Sequence, residues 1–464
     1  MAAGALHASD ALLPTGWARD VVIEWDAAGR ITWVRPHSGW SQTSGVARAA
    51  GPVLPGMPNL HSHAFQRAFA GLAEFRGSSD DSFWSWRDRM YRVANAVTPE
   101  DLDTIATHLF VEMLEAGYTS VCEFHYLHHD VDGRPYADRA TLARAIVRAA
   151  DRAGIGLTML PVLYQQSGFG GAPPTDGQRR FINRTDALLD LVRALRVAHG
   201  DMVRVGLALH SLRAVTPEAM RDALAGLATI DPFAPIHVHV AEQMREVEDC
   251  VAWSGQRPVA WLLDHAPVDA RWCLVHATHM LDDEAARAAA TGAVAGLCPT
   301  TEANLGDGIF GFPRWGEGRW GVGSDSHITV NAADELRMLE YSQRLATHRR
   351  NVAATPREPH VATALTLAAA AGGAAASGRP LGALAPGARA DFVVLDARHP
   401  AIADLPAPAA LDAHVFASGR GRAIATVVVG GRTVVAGGRH PLRDDAASAF
   451  VRVRALLAAR TPAP

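Results

Sequence analysis

The stretch Pro58-Asn59-Leu60-His61-Ser62-His63 places two histidines one residue apart, directly after the apolar run Gly51 to Met57. On a β-strand, side chains alternate, so positions i and i+2 share a face. Two imidazoles leaving a strand end in the same direction can grip one metal ion. Two ordinary turn histidines would read the same in isolation. The choice depends on whether later strands supply further ligands, because such strands would have to converge on one mouth.

The rest of the chain has the rhythm to do so. Short β-branched runs alternate with long helical patterns, and strands are expected near Val53–Met57, Tyr118–Phe124, Gly156–Val162, Val203–Leu209, Pro235–Val240, Arg271–His276, Ala293–Cys298 and Trp320–Gly323. One intervening helix is well marked. Thr98-Pro99-Glu100-Asp101 offers a cap, a first-turn proline and acids at the positive end of the helix dipole. Leu102, Ile105, Leu109, Met113 and Ala116 then share a face, and Gly117 stops the helix. Thr216-Pro217-Glu218 repeats the opening, and the Ala-rich run Ala368–Ala376 reads as a tightly packed helix. About eight strand–helix alternations imply an α/β fold, a TIM-type (β/α)8 barrel with its site at the C-terminal strand ends.

Both termini have a different flavour. Val21–Ile23 and Arg30–Val34 read as a hairpin around Asp26-Ala27-Ala28-Gly29, and Ala390–Asp396 and Thr426–Ala436 again read as strands. The two ends are expected to join in one small β-domain. The division is then residues 1–57 and 377–464 in that domain and 58–376 in the barrel. Three connections, Ala64–Val97 with Phe83-Trp84-Ser85-Trp86-Arg87, Tyr164–Ile182 and Thr300–Arg319, are longer than a barrel needs. They are expected to form substrate walls, lids or a subunit interface.

Bulk composition narrows the class. With 464 residues, 48% of them hydrophobic, the chain can bury a large core, and a net charge of -4 argues against nucleic-acid binding. Cys122, Cys250, Cys273 and Cys298 form no Cys-x-x-Cys pair, which fits buried thiols in a reducing compartment. Neither a secretory signal nor a bilayer-spanning run is evident, so a soluble cytoplasmic protein without membrane partners is expected.

The polar residues at the expected strand ends are His61 and His63, Glu123 and His125, His210, His239, His276 and Asp325, with Glu242 three residues beyond His239. Three imidazoles and a carboxylate suit one divalent ion, zinc or iron, with a position left for water. Each member also has an ordinary reading: a satisfied core histidine, a first-turn helix acid, an aspartate cap. Of His237 and His239, only one is expected to face the barrel interior. The joint order His-x-His, His, Glu, His, Asp is what sets the set apart from chance.

This order resembles that of the amidohydrolase superfamily, in its branch with one metal and no bridging lysine, since the fourth strand ends in Leu209-His210. The resemblance spans the whole chain, including a β-sandwich built from both termini. It implies His61, His63, His239 and Asp325 as metal ligands and Glu242, His276 and Asp325 as the catalytic groups. Several loops narrow it to the formimidoylglutamate deiminase family: His63-Ala64-Phe65-Gln66-Arg67, Phe83–Arg87, Glu123-Phe124-His125-Tyr126, Gly170–Pro174, His210-Ser211-Leu212-Arg213 and Cys298–Gly308. That family implies zinc, with iron as the other candidate, and a small dicarboxylate substrate, N-formimino-L-glutamate, from histidine degradation. Gln66, Arg87, Tyr126, His210 and Arg213 would bind it, and Arg forks suit carboxylates best. A homodimer is expected. The alternative on the same scaffold is a nucleobase or aminopyrimidine deaminase, which would want stacking and amide contacts where this chain has Arg213 and His210. A non-catalytic barrel would have no use for Glu242 and His276 beside a complete ligand set.

Overall fold

The structure is a computed structural model and describes residues 3–38, 45–75, 83–198, 203–418 and 423–461. Eight parallel strands form the barrel: β1 (Met57–Ser62), β2 (Tyr118–His125), β3 (Gly156–Leu163), β4 (Leu207–Ser211), β5 (Ile236–Val240), β6 (Trp272–His276), β7 (Val294–Leu297) and β8 (Trp320–Val322). They pair in chain order. All but His210 and a few flanking positions are buried on both faces, as a sheet covered by helices requires. The ring closes where β1 ends: Asp325 N–H donates to the His61 carbonyl at 3.0 Å and His63 N–H to the Asp325 carbonyl at 3.3 Å. The seam of the barrel therefore fixes three candidate ligands relative to one another.

Two features make that seam possible. A side chain on Gly323 would lie 2.7 Å from the His61 nitrogen, so only glycine lets β8 approach β1. On the outer side, the Ala-rich helix Val361–Ser377 presses Gly372 and Gly373 against Trp320 and Pro58, where any added carbon would collide with backbone or proline. The other marked helix, Pro99–Glu115, forms as expected. Thr98 Oγ accepts the Asp101 N–H at 3.2 Å, and the Asp101 carboxylate accepts the Thr98 N–H at 3.0 Å.

The first expected strand needs correcting. Val53–Pro55 belongs to the terminal sheet, between strands Gly4–Leu13 and Phe392–Leu395, and the barrel strand starts at Met57. Both runs are apolar and contiguous, so hydrophobicity alone gives no break between them. The fourth strand is also divided: Val203–Val205 pairs with β3, and Leu207–Ser211 forms β4.

Strands from both ends do join, in one mixed eight-stranded sheet. The expected hairpin forms between Gly16–Trp25 and Ile31–Arg35 and is the outer part of a three-stranded meander, because Gly4–Leu13 pairs along all of Gly16–Trp25. The C-terminal part also carries helices Ala407–Phe416 and Arg443–Arg460, the latter packed on Pro99–Glu115. All four cysteines are buried and unpaired. Among the described residues no helix is long and apolar enough to cross a membrane.

Candidate active site

At the C-terminal mouth, three imidazoles from two strands meet. His61 Nε2 lies 3.1 Å from His63 Nε2 and 3.0 Å from His239 Nε2, and Asp325 Oδ1 lies 3.5 Å from His61 Nε2 and 3.3 Å from His63 Nε2. Their other ring nitrogens explain why. His63 Nδ1 donates to the Phe124 carbonyl at 3.0 Å and His239 Nδ1 to the His210 carbonyl at 2.9 Å. A carbonyl can only accept, so in each neutral ring the proton sits on Nδ1 and Nε2 presents a bare lone pair. Burial, first, and the neighbouring imidazoles keep these rings neutral: His63 is lowered to about 3, and His61 and His239 are pushed well below their ordinary value.

Lone pairs aimed at one point repel unless a cation lies between them. Tetrahedral zinc with bonds of 2.0–2.1 Å places its ligand atoms about 3.3 Å apart, which the observed separations bracket. The carbonyl-anchored Nδ1 atoms supply the outer contacts that metal-bound histidines need. The three histidines converge as one candidate ligand group, with Asp325 Oδ1 beside His61 and His63, and these residues fit a divalent ion.

His237 needs a second correction. A period of two puts it on the same face as His239, not the opposite one. What separates them is depth: one rung lower, His237 is buried and its Nε2 donates to the Ala376 carbonyl at 2.8 Å, which ties the ring below the ligand cluster.

Beside the ligand cluster stand Glu242 and His276. His276 Nε2 is 3.6 Å from Glu242 Oε1 and 3.8 Å from Asp325 Oδ2. Burial raises the Glu242 carboxyl to about 7, with His276 working against that rise. For His276, burial alone would lower the pKa, but Glu242, Glu302 and Asp325 outweigh it and hold the ring well above its ordinary value. A carboxyl raised towards neutrality beside an imidazole whose proton is held by neighbouring carboxylates is the equipment of general acid–base chemistry. Several backbones here are strained. Ala241, His276, Ala277 and Asp325 all have positive φ, at 51°, 64°, 47° and 43°, which turns each chain abruptly off its strand into the mouth.

Above the cluster opens a cavity. His63, Gln66, Arg87, Tyr126, His210, Arg213, His239, Glu242, His276 and Asp325 all line it; His61 lies beneath them. Every residue singled out from the sequence as catalytic, metal-binding or substrate-binding thus meets at one place. Glu123 and His125 do not. Glu123 is buried below, accepting from Ser62 Oγ at 2.6 Å and Ala64 N–H at 2.7 Å, and His125 packs against His128.

The remaining wall was not legible in advance. Phe83, Trp86, Met90 and Tyr91 come from helix Phe83–Ala94, and Tyr164, Phe181 and Leu305 from other long connections. The first and third of these connections carry helices, including Ala64–Phe69 and Pro299–Leu305, whereas Tyr164–Ile182 has only the short turn Asp176–Gln178, and residues 76–82 of the first lie outside the described residues. Two guanidinium atoms at the cavity have no hydrogen-bond partner among the described residues: Arg213 Nη1 and Arg87 Nε. The Arg87 guanidinium lies over Trp84, 4.4 Å from the ring centre, so stacking holds it without satisfying it.

Comparison with known proteins bears on this arrangement directly. The amidohydrolase family model matches residues 53–434, four-fifths of the chain and all of the barrel. The chain belongs to the amidohydrolase family. Residues 3–41 match a second model, the N-terminal domain of formimidoylglutamate deiminase HutF. Among curated members of the family, the formimidoylglutamate deiminase of Pseudomonas aeruginosa is 52% identical over 97% of this chain and 98% of its own. A 5-methylthioadenosine/S-adenosylhomocysteine deaminase of Nitratidesulfovibrio vulgaris is 28% identical over 84% of this chain and 81% of its own. Among solved members, an amidohydrolase from Brucella melitensis superposes with a TM-score of 0.92 at 49% identity, covering 98% of this chain and 99% of that one. An adenosine deaminase from Xanthomonas campestris with bound zinc shares the fold, with a TM-score of 0.76 at 21% identity over 97% of this chain and 98% of that one.

Proposed function

We propose that this chain is a metal-dependent formimidoylglutamate deiminase. It hydrolyses N-formimino-L-glutamate to N-formyl-L-glutamate and ammonia, a step of histidine degradation. The observation that carries the reading is the pair of unsatisfied guanidinium atoms, on Arg213 and Arg87, in a cavity that also holds the Glu242–His276 pair. A substrate with two carboxylates would satisfy both, and a nucleoside substrate, which carries no carboxylate, would need neither. The near-complete match to the Pseudomonas aeruginosa deiminase agrees with it.

An ion held by His61, His63, His239 and Asp325 would make water acidic enough to deprotonate near neutral pH, lowering its pKa from about 16 towards about 7. Zinc suits three imidazoles and a carboxylate, with ferrous iron the other candidate. The chain's own groups do the rest. Asp325 accepts the proton of the attacking water, whose oxygen bonds to the formimino carbon. His276 Nε2, between Glu242 and Asp325, orients that oxygen and stabilises the charge it develops. Glu242 delivers a proton to the imine nitrogen. The proton held by Asp325 then passes to the same nitrogen, now an amine, while the new hydroxyl returns its own proton to Glu242; the C–N bond to that nitrogen breaks, ammonia leaves, and the oxygen remains as the formyl carbonyl. Gln66, whose amide donates to Tyr126 at 2.8 Å, and His210, packed on Tyr164, complete the wall that orients the diacid.

The aromatic wall also offers a stacking surface, which a nucleobase deaminase would use. An ammonia-release assay with N-formimino-L-glutamate, N-formimino-L-aspartate, guanine and cytosine separates the two. Turnover of the first above all others supports the proposal, and preference for either base overturns it. We carry the homodimer forward on the same footing, to be read by light scattering in solution, where a monomer would exclude it.

A further inference from the structure

We propose that Glu302 is the positioning residue for His276. It sits in the short helix Pro299–Leu305 after β7, is buried, and is absent from the cavity wall. One of its oxygens, Oε1, accepts the Cys298 N–H at 2.9 Å and lies 3.3 Å from His276 Nδ1. The imidazole is therefore held from behind, while its Nε2 faces Glu242 and Asp325 in front.

This placement does two things. An oxygen that already accepts a backbone N–H acts as acceptor towards His276 as well, so Nδ1 carries the proton and Nε2 is the nitrogen turned to the cavity. A carboxylate behind the ring also stabilises the imidazolium when Nε2 takes up a proton, the logic by which a buried acid serves a catalytic histidine elsewhere. The backbone cannot fix the ring alone. His276 and Ala277 sit in consecutive positive-φ conformations, at 64° and 47°, where the chain has already left the strand that would orient them. A purely local role for Glu302, satisfying the Cys298 N–H at the start of its own helix, would require the single contact to Cys298 and nothing towards His276.

The inference rests on the working role given to His276 above, and the test keeps the two apart. Glu302→Gln retains an oxygen for Cys298 but removes the charge; Glu302→Asp retains the charge on a shorter arm. In the metal-loaded enzyme with N-formimino-L-glutamate, Glu302→Gln should lower kcat about 10- to 100-fold, with KM within about threefold. Metal content and thermal stability should stay at the wild-type level, and Glu302→Asp should recover part of the rate. The far-downfield proton resonance of a carboxylate-bound imidazole N–H should be present in wild type and shifted in Glu302→Gln. Wild-type kcat in Glu302→Gln, or parallel losses of metal and stability in both variants, would overturn the proposal. His276→Asn is the reference. If it abolishes turnover while Glu302→Gln keeps the wild-type kcat, the positioning role alone fails; if it leaves turnover intact, the role of His276 fails with it.

Discussion

Arg213→Met removes a buried guanidinium whose Nη1 has no partner among the described residues while keeping most of the apolar length of the side chain. In the folded protein, an unpaired buried donor costs about 1–3 kcal/mol, so its loss should stabilise the fold by up to that amount. Against this stands the attraction of Glu246 and Glu242 for the charge, which works against the penalty of burying it. The net effect on thermal stability is zero or a small gain. Binding should move the other way. One charge-assisted hydrogen bond to a substrate carboxylate contributes about 1.5–3 kcal/mol, or about 10- to 150-fold in KM. The reacting atoms lie at Glu242 and His276, so kcat should fall far less than KM rises. Steady-state ammonia release and thermal melts on the same preparation read both quantities. A variant that melts earlier but binds N-formimino-L-glutamate normally would refute the reasoning, because Arg213 would then be a structural cation.

Other expectations follow from single contacts. Glu242→Gln should keep its metal content and lose about 10²- to 10⁴-fold in kcat, since the amide cannot pass a proton to the leaving nitrogen; unchanged turnover would remove Glu242 from the mechanism. Gly323→Ala should put a carbon 2.7 Å from the His61 nitrogen, costing about 1–3 kcal/mol and lowering metal occupancy together with melting temperature; a normal melt would mean the seam has slack. Glu335 is fully buried with its carboxyl raised to about 8 by burial, accepting from Thr300 N–H at 3.0 Å and Thr300 Oγ at 2.6 Å. Its folded form binds a proton that the unfolded chain releases near 4.5, so its contribution is full below that pH and is lost as pH rises towards 8. The slope is at most about 1.4 kcal/mol per pH unit. Glu335→Gln should flatten the fall in denaturant stability across that window, and an unaltered slope would count against it.

The residues that announced the site are those whose chemistry depends on strand-end position. His61, His63, His239 and Asp325 could be placed because a parallel barrel brings every C-terminal strand end to one mouth. The offset of the first strand was hidden because Val53–Pro55 and Met57–Ser62 are adjacent apolar runs serving two different sheets. Strand Gly4–Leu13 mixes Ala, His, Ser and Asp among its apolar residues, so its alternation is weak. Tyr91, Tyr164 and Phe181 meet across long separations in sequence, and nothing local distinguishes them from core aromatics. Glu302 stood in the sequence only as one residue of the stretch Cys298–Gly308, with no role of its own, and the fold alone puts it behind His276. The positive φ values at Ala241, His276, Ala277 and Asp325 go against local preference, and tertiary structure alone enforces them.

Anomalous diffraction at the zinc and iron edges, on crystals of the purified protein, asks the decisive question. The account predicts one peak per chain, bonded at about 2.0–2.2 Å to His61 Nε2, His63 Nε2, His239 Nε2 and an Asp325 oxygen, and lost in His239→Ala. A protein that turns over N-formimino-L-glutamate with no metal peak, or with its metal on other residues, would contradict it.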